Sequence, residues 1–147
     1  MFSILQQNTI RLPVVGSQPV RLPLFGHRVA AGFPSPADDY IEGLLSLDEH
    51  LIQHKHSTFF VRATGNSMVG AGILDGNLLI VDTSLTPSSG DIVIAVIDGE
   101  LTVKRLIKRN GIVTLKAENP RFKEIEFKDG QELQIWGVVT STVKKFI

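Results

Sequence analysis

From Thr58 to Val143 the chain is a succession of short segments rich in β-branched and aromatic residues, each closed by turn-forming residues. No other feature limits the fold as strongly. The segments are Thr58–Ala63, Asn77–Asp82, Asp91–Ile97, Glu100–Lys108, Ile112–Ala117, Glu124–Lys128 and Leu133–Val143. Between them stand Asp75-Gly76, Pro87-Ser88-Ser89-Gly90, Asp98-Gly99, Asn110-Gly111 and Asp129-Gly130. Asp-Gly and Asn-Gly tolerate the positive φ angles of tight hairpin turns, so consecutive segments should pair antiparallel. Strands joined in this way predict a mostly β fold built on a curled antiparallel sheet.

The part before Thr58 has a different character. Residues 1–36 hold Pro13, Pro19, Pro23, Pro34 and Pro36, five of the seven prolines, and the stretch should be an extended arm. Within it, Ile10-Arg-Leu-Pro-Val-Val-Gly16 recurs as Val20-Arg-Leu-Pro-Leu-Phe-Gly26. Two copies are too few for a solenoid and read as two extended segments able to lie along a sheet edge. Between Asp38 and His54 the spacing of Tyr40, Ile41, Leu44, Leu45, Leu47, Leu51 and Ile52 predicts one or two short helices, with Ser46 or Asp48 as a cap. His50 and His54 have the i, i+4 spacing of zinc-binding helices. They lack an adjacent glutamate and a third ligand, so a surface or half-buried role is preferred and no metal or cofactor is expected.

Several function classes are disfavoured by composition. With 147 residues and 43% apolar content the chain can fill one core. It contains no cysteine, which removes thiol nucleophiles, disulfides and cysteine-ligated metals and fits a reducing compartment, most simply the cytoplasm. No apolar run approaches the ~20 residues of a membrane span, and no secretory signal is evident at the amino terminus. Net charge is zero, without the basic excess of an autonomous nucleic-acid binder. Charge is nevertheless uneven: residues 1–31 carry Arg11, Arg21 and Arg28 and no acid, whereas residues 32–147 carry 12 basic and 15 acidic side chains.

Ser67, in Gly65-Asn66-Ser67-Met68, and Lys104, 37 positions later in the run Leu101 to Leu106, are the candidates for chemistry. A serine hydroxyl becomes a competent nucleophile only when a neighbour takes its proton, and a lysine can do this only if burial keeps it neutral. The chain departs from the Gly-x-Ser-x-Gly hydrolase pattern, and His27, His50, His54 and His56 all precede Ser67, opposite to the hydrolase order. Convergent triads use other orders, so an upstream histidine stays open. A helical turn over Met68 to Ile73 would leave the amides of Asn66 and Ser67 as oxyanion donors. The competing reading makes Ser67 a turn or cap residue and Lys104 a strand residue whose head reaches solvent.

Four stretches in order, Gly65 to Met68, Asp75 to Asp82, Gly90 to Ala95 and Asp98 to Leu106, resemble the self-cleaving LexA-type peptidase domain. Ala31 to Tyr40 resembles the segment around the cleavage site in that family's polymerase-accessory branch, so the likeness covers about residues 20–147. It implies the LexA-type fold with an extended N-terminal arm and a Ser67–Lys104 dyad. It also implies a scissile Ala31-Gly32 bond dividing an arm, 1–31, from a peptidase domain, 32–147. By the same resemblance, cleavage is stimulated by a RecA filament on single-stranded DNA in the SOS response to DNA damage. The product is expected to dimerise and to join the catalytic subunit of an error-prone translesion polymerase, without a membrane or sequence-specific DNA contacts of its own. Two other readings are a non-catalytic dimeric binding module for a polymerase and a LexA-like transcriptional regulator lacking its DNA-binding domain.

Overall fold

The computed structural model describes residues 18–26, 28–29, 41–127 and 132–147, and divides the chain into two compact units, Met1–His50 and Leu51–Ile147. The first Arg-Leu-Pro copy and the expected boundary at Ala31-Gly32 lie outside the described residues.

In the first unit, β1 (Leu22–Phe25) pairs antiparallel with β2 (Ile41–Leu45), matching Leu22 to Leu45 and slipping register between Leu24 and Phe25. The second Arg-Leu-Pro copy is therefore extended, as expected, but its partner is β2 in a separate two-stranded sheet. Of the one or two short helices expected between Asp38 and His54, one is found among the described residues, α1 (Leu47–Leu51), while the apolar spacing of Ile41–Leu45 belongs to a strand. Gly43 weakens a helix at the middle of that stretch by about 1 kcal/mol relative to alanine, and β1 supplies a backbone partner that local spacing does not reveal. Ser46 stands at the cap position, where its carbonyl accepts the His50 amide at 2.9 Å. Its buried hydroxyl has no hydrogen-bond partner among the described residues. Arg21 pairs with Glu49 at 2.8 Å, half exposed, a contact worth at most about 1 kcal/mol.

The second unit contains β3 (Thr58–Arg62), a 3-10 turn (Val69–Ala71), β4 (Leu78–Asp82), β5 (Ile92–Ile97), β6 (Glu100–Arg109), β7 (Ile112–Lys116), β8 (Ile125–Phe127) and β9 (Gln134–Val143). Every expected segment is found, within a residue or two at its described ends. The turns follow the residues that specify them: Asp98 and Gly99 have φ of 50° and 80°, Asn110 and Gly111 φ of 50° and 76°. Two consecutive positive φ angles are the signature of the tight hairpin turn that matches strand twist. All pairings are antiparallel, in the order β3-β4-β9-β5-β6-β7-β8.

Strand β9 thus enters between β4 and β5, joining two halves that the chain makes separately. Register slips on both sides of β9, between Ile80 and Val81 against β4 and between Ile94 and Ala95 against β5, and such irregularities increase curl. Gly137 permits the close approach: a Cβ there would lie 2.6 Å from Val81 Cγ1. Apolar side chains form two clusters. Ala63, Met68, Ile73, Leu79, Val81 and Ile94 form one, and Val93, Ala95, Leu106, Leu115 and Val138 the other. Alternate residues of β5 enter different clusters, so Ile92 to Ile97 is a continuous apolar run rather than an alternating one. Each fully buried Leu, Val or Met contributes about 1.5–3 kcal/mol.

Candidate active site

Ser67 lies on the loop between β3 and β4. The base of the loop is closed by Ala63 N–H to Asn77 O and Gly76 N–H to Ala63 O, both 2.8 Å. At its top, Gly65 has φ of 83° and donates its amide to Asp75 Oδ1 at 2.7 Å. Only glycine takes that backbone conformation at no steric cost. Met68, 1% exposed, anchors the next position in the first apolar cluster, and its carbonyl accepts the amides of Ala71 and Ile73. The helical turn expected over Met68 to Ile73 is the 3-10 turn Val69–Ala71. Ser67 is therefore half-buried on a loop moored at both ends and by the side chain next to it.

Lys104 comes from the middle of β6, directly opposite Val93, which is fully buried. The lysine is only 9% exposed. Its Nζ donates to Ser67 Oγ at 3.3 Å, to Thr102 Oγ1 at 2.9 Å and to Val103 O at 3.1 Å. Thr102 and Lys104, two apart on one strand, share a face. Burial pushes the Lys104 amine below the usual lysine value. The solvent-reaching lysine of the competing sequence reading is not what the fold contains. The amides of Asn66 and Ser67, the expected oxyanion donors, have no acceptor among the described residues.

Residues beyond the expected set complete the surroundings. Asn119, in the segment between β7 and β8, donates Nδ2 to Asn66 O at 2.9 Å, across 53 positions of sequence. Glu118 O accepts the Gly70 amide at 2.8 Å, and the Glu118 carboxylate pairs with Arg105. A Cβ on Gly70 would stand 2.7 Å from Glu118 O, so the two segments touch at backbone distance. Strand parity was the available signal for Thr102. Nothing local marks Asn119 or Glu118, because the contact forms only when the sheet brings distant loops together.

The histidines lie elsewhere. His50 is in α1, which ends at Leu51, so His54 does not share its helix. Instead His54 Nδ1 contacts Asp82 Oδ2 at 2.6 Å. Asp82, buried at the end of β4, also accepts from Ser84 Oγ at 2.6 Å, Ser84 N–H at 2.9 Å and Ser57 Oγ at 3.3 Å. The Ser84 hydroxyl first, then His54, hold its carboxyl down at about 2, against the opposing effect of burial. Among the described residues, the hydrogen-bond partner of the Ser67 hydroxyl is Lys104, and no histidine bonds to it. The described histidines and carboxylates form no cluster of three or more suited to a metal ion. No helix among the described residues is long and apolar enough to cross a membrane.

A depressed carboxylate pKa stabilises the folded chain above the unfolded value, near 4, and that contribution is lost as pH falls toward 2. Asp82→Asn should therefore lower the melting temperature at neutral pH by on the order of 5 °C. The gap to wild type should narrow below about pH 4 and close only as the pH nears about 2, as thermal melts across an acid series will show. A gap that stayed constant with pH would mean the carboxylate charge contributes nothing.

The chain is similar to several known proteins. Residues 23–140 match the family described as Peptidase S24-like. The protein SamA of Salmonella typhimurium is 48% identical over 123 residues, covering 84% of this chain and 85% of SamA. The protein MucA of Escherichia coli is 42% identical over 123 residues, covering 83% and 84%. The LexA repressor of Clostridium perfringens is 37% identical over 110 residues, which are 75% of this chain but 54% of that repressor. A match of this extent, over a sheet and loop that bring Ser67 to Lys104, makes the chain a UmuD-like member of the Peptidase S24-like family.

Proposed function

We propose that this chain is a serine-lysine peptidase that cuts itself between Ala31 and Gly32 and then serves as an accessory subunit of an error-prone DNA polymerase. The observation that carries the reading is the 3.3 Å contact between Ser67 Oγ and a lysine amine whose pKa is lowered by burial. In the first step neutral Lys104 takes the proton of the Ser67 hydroxyl as its oxygen bonds to the Ala31 carbonyl carbon. The oxyanion so formed accepts from the amides of Asn66 and Ser67, each such donor being worth about 3–4 kcal/mol in other enzymes. Lys104 then passes its proton to the Gly32 nitrogen as the peptide bond breaks. Water, deprotonated by the same amine, then adds to the Ala31 ester, and the amine returns that proton to the Ser67 oxygen as the ester bond breaks and the Ala31 carboxyl group leaves. Thr102 Oγ1 and Val103 O hold Nζ in place throughout.

The polymerase role, the homodimer, the cytoplasmic site of action and stimulation by a RecA filament are part of the proposal by the resemblance to the LexA-type family's polymerase-accessory branch. Membership of a UmuD-like family favours them, and loss of the arm would take Arg11, Arg21 and Arg28 away and leave residues 32–147 with 12 basic and 15 acidic side chains. The test is intact mass spectrometry of the purified chain with and without RecA, ATP and single-stranded DNA. Two fragments divided after Ala31 are expected, appearing faster with the filament. A chain that stays whole with the filament and also at alkaline pH would overturn the proposal.

A further inference from the structure

We infer that Asn119 is a positioning residue for the oxyanion site, acting through the peptide plane between Asn66 and Ser67; this rests on the self-cleavage reading above. A peptide unit is planar and trans, so the carbonyl of Asn66 and the amide hydrogen of Ser67 belong to one rigid plane and point to opposite sides. Asn119 Nδ2 grips that carbonyl at 2.9 Å. Fixing the oxygen fixes the N–H, which is the donor the oxyanion requires. Without the grip, the plane is free to rock about the flanking torsions, and a misplacement of about 1 Å costs about 10²-fold in rate.

Asn119 is itself held in the orientation this role needs. Its Oδ1 accepts the Arg121 amide at 3.1 Å and its own carbonyl accepts the Phe122 amide at 3.1 Å, so the side-chain NH2 is the end left to face Asn66. The neighbouring Glu118 carbonyl takes the Gly70 amide at 2.8 Å, three residues beyond Ser67. The segment after β7 therefore braces the nucleophile loop on both sides of Ser67. The brace is on the nucleophile and leaves the base alone, because the bonds of Lys104 Nζ go to Thr102, Val103 and Ser67.

That separation defines the test. Self-cleavage of the full chain is followed from about pH 7 to about pH 11 for wild type, Asn119→Ala and Asn119→Asp, with Ser67→Ala as the uncut reference. Asn119→Asp is nearly isosteric and keeps the acceptor for Arg121 N–H, but as a carboxylate it cannot donate to Asn66 O. Both variants should lose about 10²-fold in the alkaline plateau rate while keeping the wild-type midpoint and a melting temperature within a few degrees of wild type. Either variant cutting at the wild-type plateau would overturn the inference and leave the self-cleavage reading intact. So would a loss accompanied by a shifted midpoint or a collapse in melting temperature, which would make Asn119 a structural residue only. A wild-type chain as inert as Ser67→Ala would remove the self-cleavage reading and this inference with it.

Discussion

Replacing Lys104 by methionine or Ser67 by alanine is expected to reduce self-cleavage at alkaline pH by about 10⁴-fold or more, because each variant removes one half of a unit that works only as a pair. Lys104→Arg should be equally inert up to about pH 11, since a guanidinium stays protonated there and cannot take the serine proton. That variant separates a base from a mere positive charge. For wild type, the cleavage rate should climb about tenfold per pH unit and then level off where the amine is mostly neutral. Burial lowers the Lys104 pKa, so the midpoint should fall below the ~10.4 of a free lysine. Lowering the pH reprotonates the amine and stops the reaction, whereas Ser67→Ala should show no pH dependence. A midpoint at the free-lysine value, read from mass spectra of timed samples, would contradict a buried base.

Met68→Ala should cost about 2–5 kcal/mol in unfolding free energy, measured by urea titration, because its side chain is 1% exposed within the first apolar cluster and its removal leaves a cavity there. The loss should also reach the chemistry. Met68 immediately follows Ser67, and its carbonyl ties the 3-10 turn by accepting from Ala71 and Ile73, so a loop that loses its mooring no longer presents the hydroxyl to Lys104. Met68→Leu, which roughly conserves volume, should cost less than about 1.5 kcal/mol and keep most of the cleavage rate. An alanine variant as stable as wild type would show that the nucleophile loop does not depend on the core for its position.

Much of this architecture was legible in the residues. Strand ends from Thr58 onward follow Asp-Gly and Asn-Gly turns, whose φ requirements are local and therefore readable. Ser67 and Lys104 stood out by chemistry and by likeness to a known family, and the fold brings them within 3.3 Å. What was not legible is non-local. Ile41–Leu45 has helical spacing, yet β1 pairs with it and makes it a strand. Nothing in β9 announces that it inserts between β4 and β5, and nothing around Asn119 announces a bond to a loop 53 positions earlier. Residues whose roles depend on the closed sheet carry no mark in their immediate neighbourhood.

The strand order also imposes a timetable. Ser67 precedes Lys104 in the chain, but the β3–β4 half and the β5–β6 half become one continuous sheet only when β9, later in sequence than both, takes its place between them. A nascent chain halted before Gln134 would own both reactive side chains and lack the seam that aligns them. Any chemistry that needs the pair therefore waits until β9 has been made.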